Sequence, residues 1–221
     1  MKTLSFEVKN LPEAWFVAIR ELMERDPQKE NSGTHQYKID AGSFAGQHRR
    51  EFDYITMFIE YPGTLPRIPD VPPGIPLPCN DTYVEEYVNK LMTPYKDKNE
   101  QYTYGEFLTP QIDKVIEKYK SGPGNNQCYM VIGNEESINL SDPPCLRGID
   151  TRILNGMLHF VVYFRSWDLW AGFPNNLAAI QILKEYMASS LNVQDGTLIV
   201  ASKGLHLYEY SWELAKSIID R

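Results

Sequence analysis

Residues 163–176 read Tyr-Phe-Arg-Ser-Trp-Asp-Leu-Trp-Ala-Gly-Phe-Pro-Asn-Asn. They follow the apolar run 157–164, "MLHFVVYF", which reads as a strand with apolar residues on both alternating faces. At the end of that strand come Arg165, Ser166, Asp168, Asn175 and Asn176, set among aromatics, with Gly172 and Pro174 breaking the chain. Donors and acceptors of both polarities at the mouth of a core strand point to a bound polar ligand. Upstream, 146–153 forms the other arm of a hairpin turned at Asn155-Gly156, the strongest short hairpin signal. Downstream, 177–190 has helical periodicity, with Leu177, Ile180, Leu183 and Met187 on one face.

Working outward, 12–25 reads as a helix with Pro12 in its first turn, and 51–61 as a strand rich in aromatic and β-branched residues. Residues 62–78 carry seven prolines and read as a rigid surface loop. Helices are predicted over 81–92, with Asp81 as its cap, and over 110–120, closed by "SGPGNN". Strands follow at 128–133 and 197–202, and a closing helix at 211–219. Helices and strands mix without strict alternation, so the chain reads as one α+β domain, 1–221, built on a large sheet.

The chain has 221 residues, 43% of them hydrophobic, and a net charge of −7. That charge argues against a broad grip on nucleic acid, but not against a small anion held by a few donors. No apolar run reaches the length of a membrane span, and the start lacks a signal peptide's apolar core. Three scattered cysteines, Cys79, Cys128 and Cys145, fit a reducing cytoplasm, and no Cys or His pair has metal-ligand spacing. Of the three, Cys145 stands out. It follows Pro143-Pro144, precedes a strand, and Arg165 is placed to lie beside it across the hairpin. A guanidinium near a thiol favours the nucleophilic thiolate. Arg147 is also close in sequence, though strand alternation leaves its direction open. His206 and Tyr208, two apart on a strand, share a face.

Together these motifs resemble the thymidylate synthase family, which also contains the pyrimidine-nucleotide hydroxymethylases. The resemblance rests on Pro144-Cys145, on Arg165-Ser166-Trp167-Asp168, on Gly172-Phe173-Pro174-Asn175-Asn176 and on His206-Leu207-Tyr208, in the family's order. "YTYGE" (102–106) is similar to its middle segment, and the short chain with "DPPCL" to its compact archaeal branch. The resemblance implies a large mixed sheet flanked by helices and a homodimer packed sheet face to sheet face. It also implies reductive methylation of dUMP at C5 with 5,10-methylene-tetrahydrofolate or a related reduced pterin, and no metal. Cys145 would attack C6; Arg165 and Ser166 would hold the phosphate; Asp168 would order the site or accept from backbone amides. Asn176 would read a uracil edge, where cytidylate-specific relatives carry Asp. His206 and Tyr208 would contact the sugar 3′-hydroxyl, and Tyr104 would belong to the catalytic set. Glu86, with Glu85 next, is the candidate for the catalytic glutamate.

The departures are specific. Asn126 and Gln127 stand where the family places the partner subunit's phosphate-binding arginine pair, and Arg49-Arg50 is the candidate replacement. Leu146 follows the nucleophile in place of His, and no tryptophan lies in the segment just ahead of Tyr104-Gly105, where the family places one. The missing tryptophan, with the missing tail that closes over folate, keeps a uridylate or cytidylate hydroxymethylase open. The missing arginines keep open a nucleotide-binding homologue without catalysis.

Overall fold

The computed structural model describes residues 1–40, 42 and 44–220. Its strands are β1 (Thr3–Val8), β2 (Thr34–Lys38), β3 (His48–Phe52), β4 (Tyr54–Ile59), β5 (Tyr129–Val131), β6 (Leu146–Leu154), β7 (Met157–Phe164), β8 (Trp167–Asp168), β9 (Gln194–Ser202) and β10 (Leu205–Tyr208). Its helices are α1 (Leu11–Glu24), α2 (Asp81–Met92), α3 (Tyr104–Ser121), α4 (Gly172–Leu191) and α5 (Trp212–Ile219). A mixed six-stranded sheet runs β1-β4-β9-β7-β6-β5, and a smaller sheet runs β2-β3-β10-β8.

The β6–β7 hairpin forms as the sequence reads, with Asn155 and Gly156 at φ 52° and 74°. These positive angles suit Asn and Gly and match the twist of the strands. One face of the large sheet carries Ile55, Met57, Ile59, Leu158, Phe160, Val162, Leu198 and Val200, all buried. The long helix α4 lies in this core and buries residues all around its circumference, from Phe173 to Ala188. The opposite face is open in the single chain. Phe58 and Val161 are 36% and 43% exposed there, flanking Ile199 in register.

Several boundaries differ from the sequence reading, each for a physical reason. The expected strand 51–61 is two strands in two sheets, parted at Asp53. Asp53 anchors the switch: its N–H donates to Gly33, and its carboxylate accepts from the Lys2 N–H at 2.8 Å and pairs with His35 at 2.9 Å. Helix α3 starts six residues earlier than predicted, because Thr103 and Glu106 form a capping box that carries the helix through Pro110. The cap of α2 is Asn80, whose side chain accepts from the Tyr83 N–H, with Asp81 inside the first turn. Helix α4 begins at Gly172 rather than 177, since Pro174 sits in the first turn where its missing N–H has no partner to lose. No described helix is long and apolar enough to cross a membrane.

Candidate active site

Cys145 sits where the chain enters β6. Its carbonyl accepts the Arg165 N–H at 2.8 Å, so the hairpin places thiol and guanidinium side by side. A bulge follows between Leu146 and Gly148. The bulge re-aims Arg147, whose guanidinium reaches toward Gly133 and leaves the thiol to Arg165. Arg165 is held by the residues that precede the cysteine. Its Nε donates to the Pro144 carbonyl at 3.2 Å, and Nη2 donates to the Pro143 carbonyl and to Asp142 at 3.2 Å.

The second sheet forms the opposite wall. Along β3, Arg49 and Arg50 point to opposite sides, as strand alternation requires. Arg49 faces the site. It pairs with Glu51, lies over the Tyr37 ring at 5.7 Å, and its field reaches both Cys145 and His206. Gly204 lets it approach, since a Cβ there would lie 3.3 Å from the Arg49 guanidinium and 3.4 Å from the Arg165 carbonyl. Arg50 does not join this group. Its guanidinium donates to the Arg25 carbonyl at the end of α1, and burial lowers its pKa.

Strand β10 pairs with β8 in parallel, setting His206 beside Asp168. The Nδ1 of His206 lies 2.8 Å from the Gly204 carbonyl, which makes Nδ1 the protonated nitrogen. Its Nε2 is then an acceptor, buried and without a partner among the described residues. Burial, reinforced by Arg49, lowers the imidazole pKa to about 3, so the ring is neutral at any working pH. Tyr208 packs edge-on against His206 at 4.6 Å and stacks on Phe44 at 4.0 Å.

Asp168 turns inward on its own chain. One oxygen accepts from the Trp170 N–H and the other from Ala171 and Gly172, at 3.1–3.2 Å. It thus caps the first turn of α4 and orders the entry to the helix that carries the asparagines. Burial raises its pKa, and the three N–H groups pull it back. Ser166 lies half-buried between Arg165 and Trp167. Asn176, on the first turn of α4, is buried, and its Oδ1 accepts from the Trp167 indole at 2.8 Å.

Beside these residues opens a cleft of 680 Å³ between α2, the start of α3 and the segment before Cys145. Glu86 and Tyr104 line it, with Tyr83, Tyr87, Tyr102, Asp142 and Asn175; Glu85 does not. Tyr104 packs within 6 Å of both Tyr87 and Tyr102, and all three feel the field of Cys145. Sequence reasoning missed Tyr87, Trp167 and Asp142 as site residues. Asp142 carried a signal, as the acid three residues before the cysteine. Tyr87 carried none, because it meets Tyr104 only through the packing of α2 on α3. Asn126 and Gln127 lie in the turn between α3 and β5.

The thiol corrects one expectation. Burial pushes Cys145 above the usual cysteine range; Arg165 and Arg49 pull it back, while Asp142 opposes them. The net direction is upward, so the thiol of the free protein is not the preformed thiolate that a nearby arginine suggests. Removing the Asp142 carboxylate lifts its repulsion and releases Arg165 from an ion pair, and both effects favour the thiolate. Asp142→Asn should therefore shift the pH midpoint of Cys145 alkylation downward, read from the rate of iodoacetamide labelling. An unchanged or higher midpoint would contradict this electrostatic account. The other thiols should not interfere, because Cys79 is buried and pushed up to about 12, and Cys128 is buried and raised.

Comparison with known proteins gives this geometry a context. Residues 81–221 match the family model described as thymidylate synthase. A Methanosarcina barkeri protein named "Putative thymidylate synthase" is 30% identical over 181 residues, covering 79% of this chain and 81% of the relative. One of the same name from Methanocaldococcus jannaschii is 30% identical over 161 residues, covering 66% and 71%. The fold is similar to the thermostable thymidylate synthase A of Bacillus subtilis, with a TM-score of 0.69 over 95% of this chain and 84% of that one, at 16% identity. The matched family spans the cysteine, the arginine-serine-aspartate turn, the paired asparagines and the histidine-tyrosine strand, and the chain belongs to the thymidylate synthase family.

Proposed function

We propose that the protein, as one catalytic domain, methylates dUMP reductively at C5 to give dTMP. What supports this reading is that the hairpin sets Arg165 beside Cys145, that Arg49 acts on both Cys145 and His206, and that Asn176 is tied through Trp167 to the turn that carries Arg165. Arg165 and Arg49 supply the cationic wall for the 5′-phosphate, with Ser166 as a further donor. The Nε2 of His206, unpartnered among the described residues, accepts from the sugar 3′-hydroxyl, and a buried acceptor of this kind is costly unless a ligand supplies a donor. Tyr208 flanks it. The Cys145 sulfur adds to C6, which places negative charge on C5 and O4, and the amide of Asn176 donates to O4. Glu86 and Tyr104 face the cleft from which C5 is approached, placed to relay protons through water.

A reduced pterin of the methylene-tetrahydrofolate type supplies the carbon and hydride when bound. The cleft fits such a group: it has room for it and offers several tyrosine rings as flat walls. The same wall favours hydroxymethylation as the second reading. It contains no tryptophan among its described residues, and a less completely covered intermediate admits water in place of hydride. Tritium release from [5-³H]dUMP with a methylene donor tests the reading, and product mass separates methyl from hydroxymethyl. No release would remove catalysis and leave a nucleotide-binding homologue.

The reading includes a homodimer in the cytoplasm. The open sheet face, with Phe58, Val161 and Ile199 at its centre, suits a second copy packed face to face. An obligate interface of this kind buries on the order of 2,000 Å² or more. Sedimentation at micromolar concentration should give twice the 25.5 kDa chain mass, and Val161→Glu should give the monomer. A monomeric wild-type protein would refute the dimer.

A further inference from the structure

Trp167 occupies the third position of the Arg-Ser-x-Asp turn, and its side chain is held on every side. The indole stacks on Phe164 at 3.8 Å with an interplanar angle of 9°, and packs against Phe173 at 4.6 Å. Its main chain is tied to the second sheet, where the Trp167 N–H donates to the Gly204 carbonyl at 2.9 Å. The residue is 3% exposed. From this fixed ring the indole nitrogen reaches Asn176 at 2.8 Å.

An indole N–H can only donate. The atom of Asn176 that meets it must therefore be the carbonyl oxygen, which fixes which end of the carboxamide is which. Oδ1 lies against the tryptophan, with one lone pair left over, and the amide NH₂ takes the other position. The alternative rotamer would set that NH₂ against the indole N–H, two donors facing in a buried place, which is unfavourable.

The two pyrimidine edges need opposite arrangements. Uracil presents an acceptor at O4 and a donor at N3–H. Cytosine presents a donor at its 4-amino group and an acceptor at N3. An asparagine serves either base by turning its carboxamide over. We propose that Trp167 is a positioning residue that locks Asn176 in the arrangement complementary to uracil and forbids the turn that cytosine requires. Base selectivity then depends on a residue that touches no part of the nucleotide. This rests on the reading of the site as a uridylate site with Asn176 at the base edge.

The test measures dissociation constants for dUMP and dCMP by equilibrium dialysis on the full chain. The unmodified protein should prefer dUMP. Trp167→Phe keeps an aromatic ring but removes the donor; it should lower the dUMP:dCMP preference by about tenfold, chiefly by admitting dCMP. A second variant carries a benzothiophene amino acid at position 167, which replaces N–H by sulfur with little change of shape, and it should do the same if Trp167→Phe folds poorly. Equal weakening of both nucleotides would show a packing role only and overturn the lock. So would an unchanged preference with dUMP binding intact, which leaves the uridylate reading standing. An unmodified protein that binds neither nucleotide, or prefers dCMP, overturns that reading and the lock with it.

Discussion

Replacing Cys145 with alanine should lower tritium release from [5-³H]dUMP on the order of ten-thousand-fold or more, because no other group in the site can add to C6. Cys79 and Cys128 are buried in the core, away from the cleft. Nucleotide binding should survive within a few-fold. The hydrogen bond that places Arg165 runs from its N–H to the Cys145 carbonyl, a main-chain contact that alanine keeps. The remaining holds on Arg165 come from Pro143, Pro144 and Asp142. The experiment therefore separates chemistry from recognition. Turnover retained by the alanine variant would remove Cys145 as the nucleophile. Binding lost together with turnover would mean that the sulfur, rather than the arginines and asparagine, holds the nucleotide.

Gly105→Ala should destabilise the protein by about 3 kcal/mol or more, a fall in Tm of roughly 6–12 °C. A Cβ at Gly105 would lie 1.8 Å from the Thr93 carbonyl oxygen and 2.5 Å from its carbon. Both are main-chain atoms, and neither can retreat easily. Thr93 closes α2, where its N–H and hydroxyl both bond to the Asn89 carbonyl, while the Thr103 hydroxyl donates to the Lys90 carbonyl. The end of α2 and the start of α3 are thus clamped together at the one residue without a side chain. Tyr104 and Tyr87, one from each helix, meet beside this clamp at 5.9 Å. The substitution should loosen that wall as well as lower Tm, while a variant melting with the wild type would show that the helices separate freely.

How far the sequence revealed the molecule depended on the range of the interaction concerned. The β6–β7 hairpin was legible because Asn155-Gly156 states its own backbone angles. The cysteine with its arginine was legible because a hairpin brings its two arms together by construction. What stayed hidden needed contacts between distant segments. The stretch 48–50, "HRR", lies ahead of the expected strand and lacks an apolar pattern, yet it belongs to β3, an inner strand of the four-stranded sheet, which carries Arg49 and Glu51. The opposed directions of Arg49 and Arg50 followed only once that segment was known to be a strand. The start of α4 was placed late because Asp168 caps it from outside the apolar pattern, and pattern alone locates only the buried face. Trp167 is buried, and its polar tip finds Asn176 nine residues away only after the chain turns back on itself.

Asp53 has a consequence for how this chain tolerates changes of length. It is the whole connection between β3, which carries Arg49 and Glu51 to one sheet, and β4, which belongs to the other. Phe52 and Ile55 on either side of it are buried, so there is no slack to absorb an added residue. Because side chains alternate along a strand, a single insertion here must invert one strand or the other. Inverting β3 turns Arg49 out and Arg50 in; inverting β4 buries Phe58 and Thr56 and expels Ile55 and Met57. An insertion or deletion of one codon at this point should thus be far more damaging than most substitutions nearby, whereas the proline-rich stretch that follows β4 has surface room to vary.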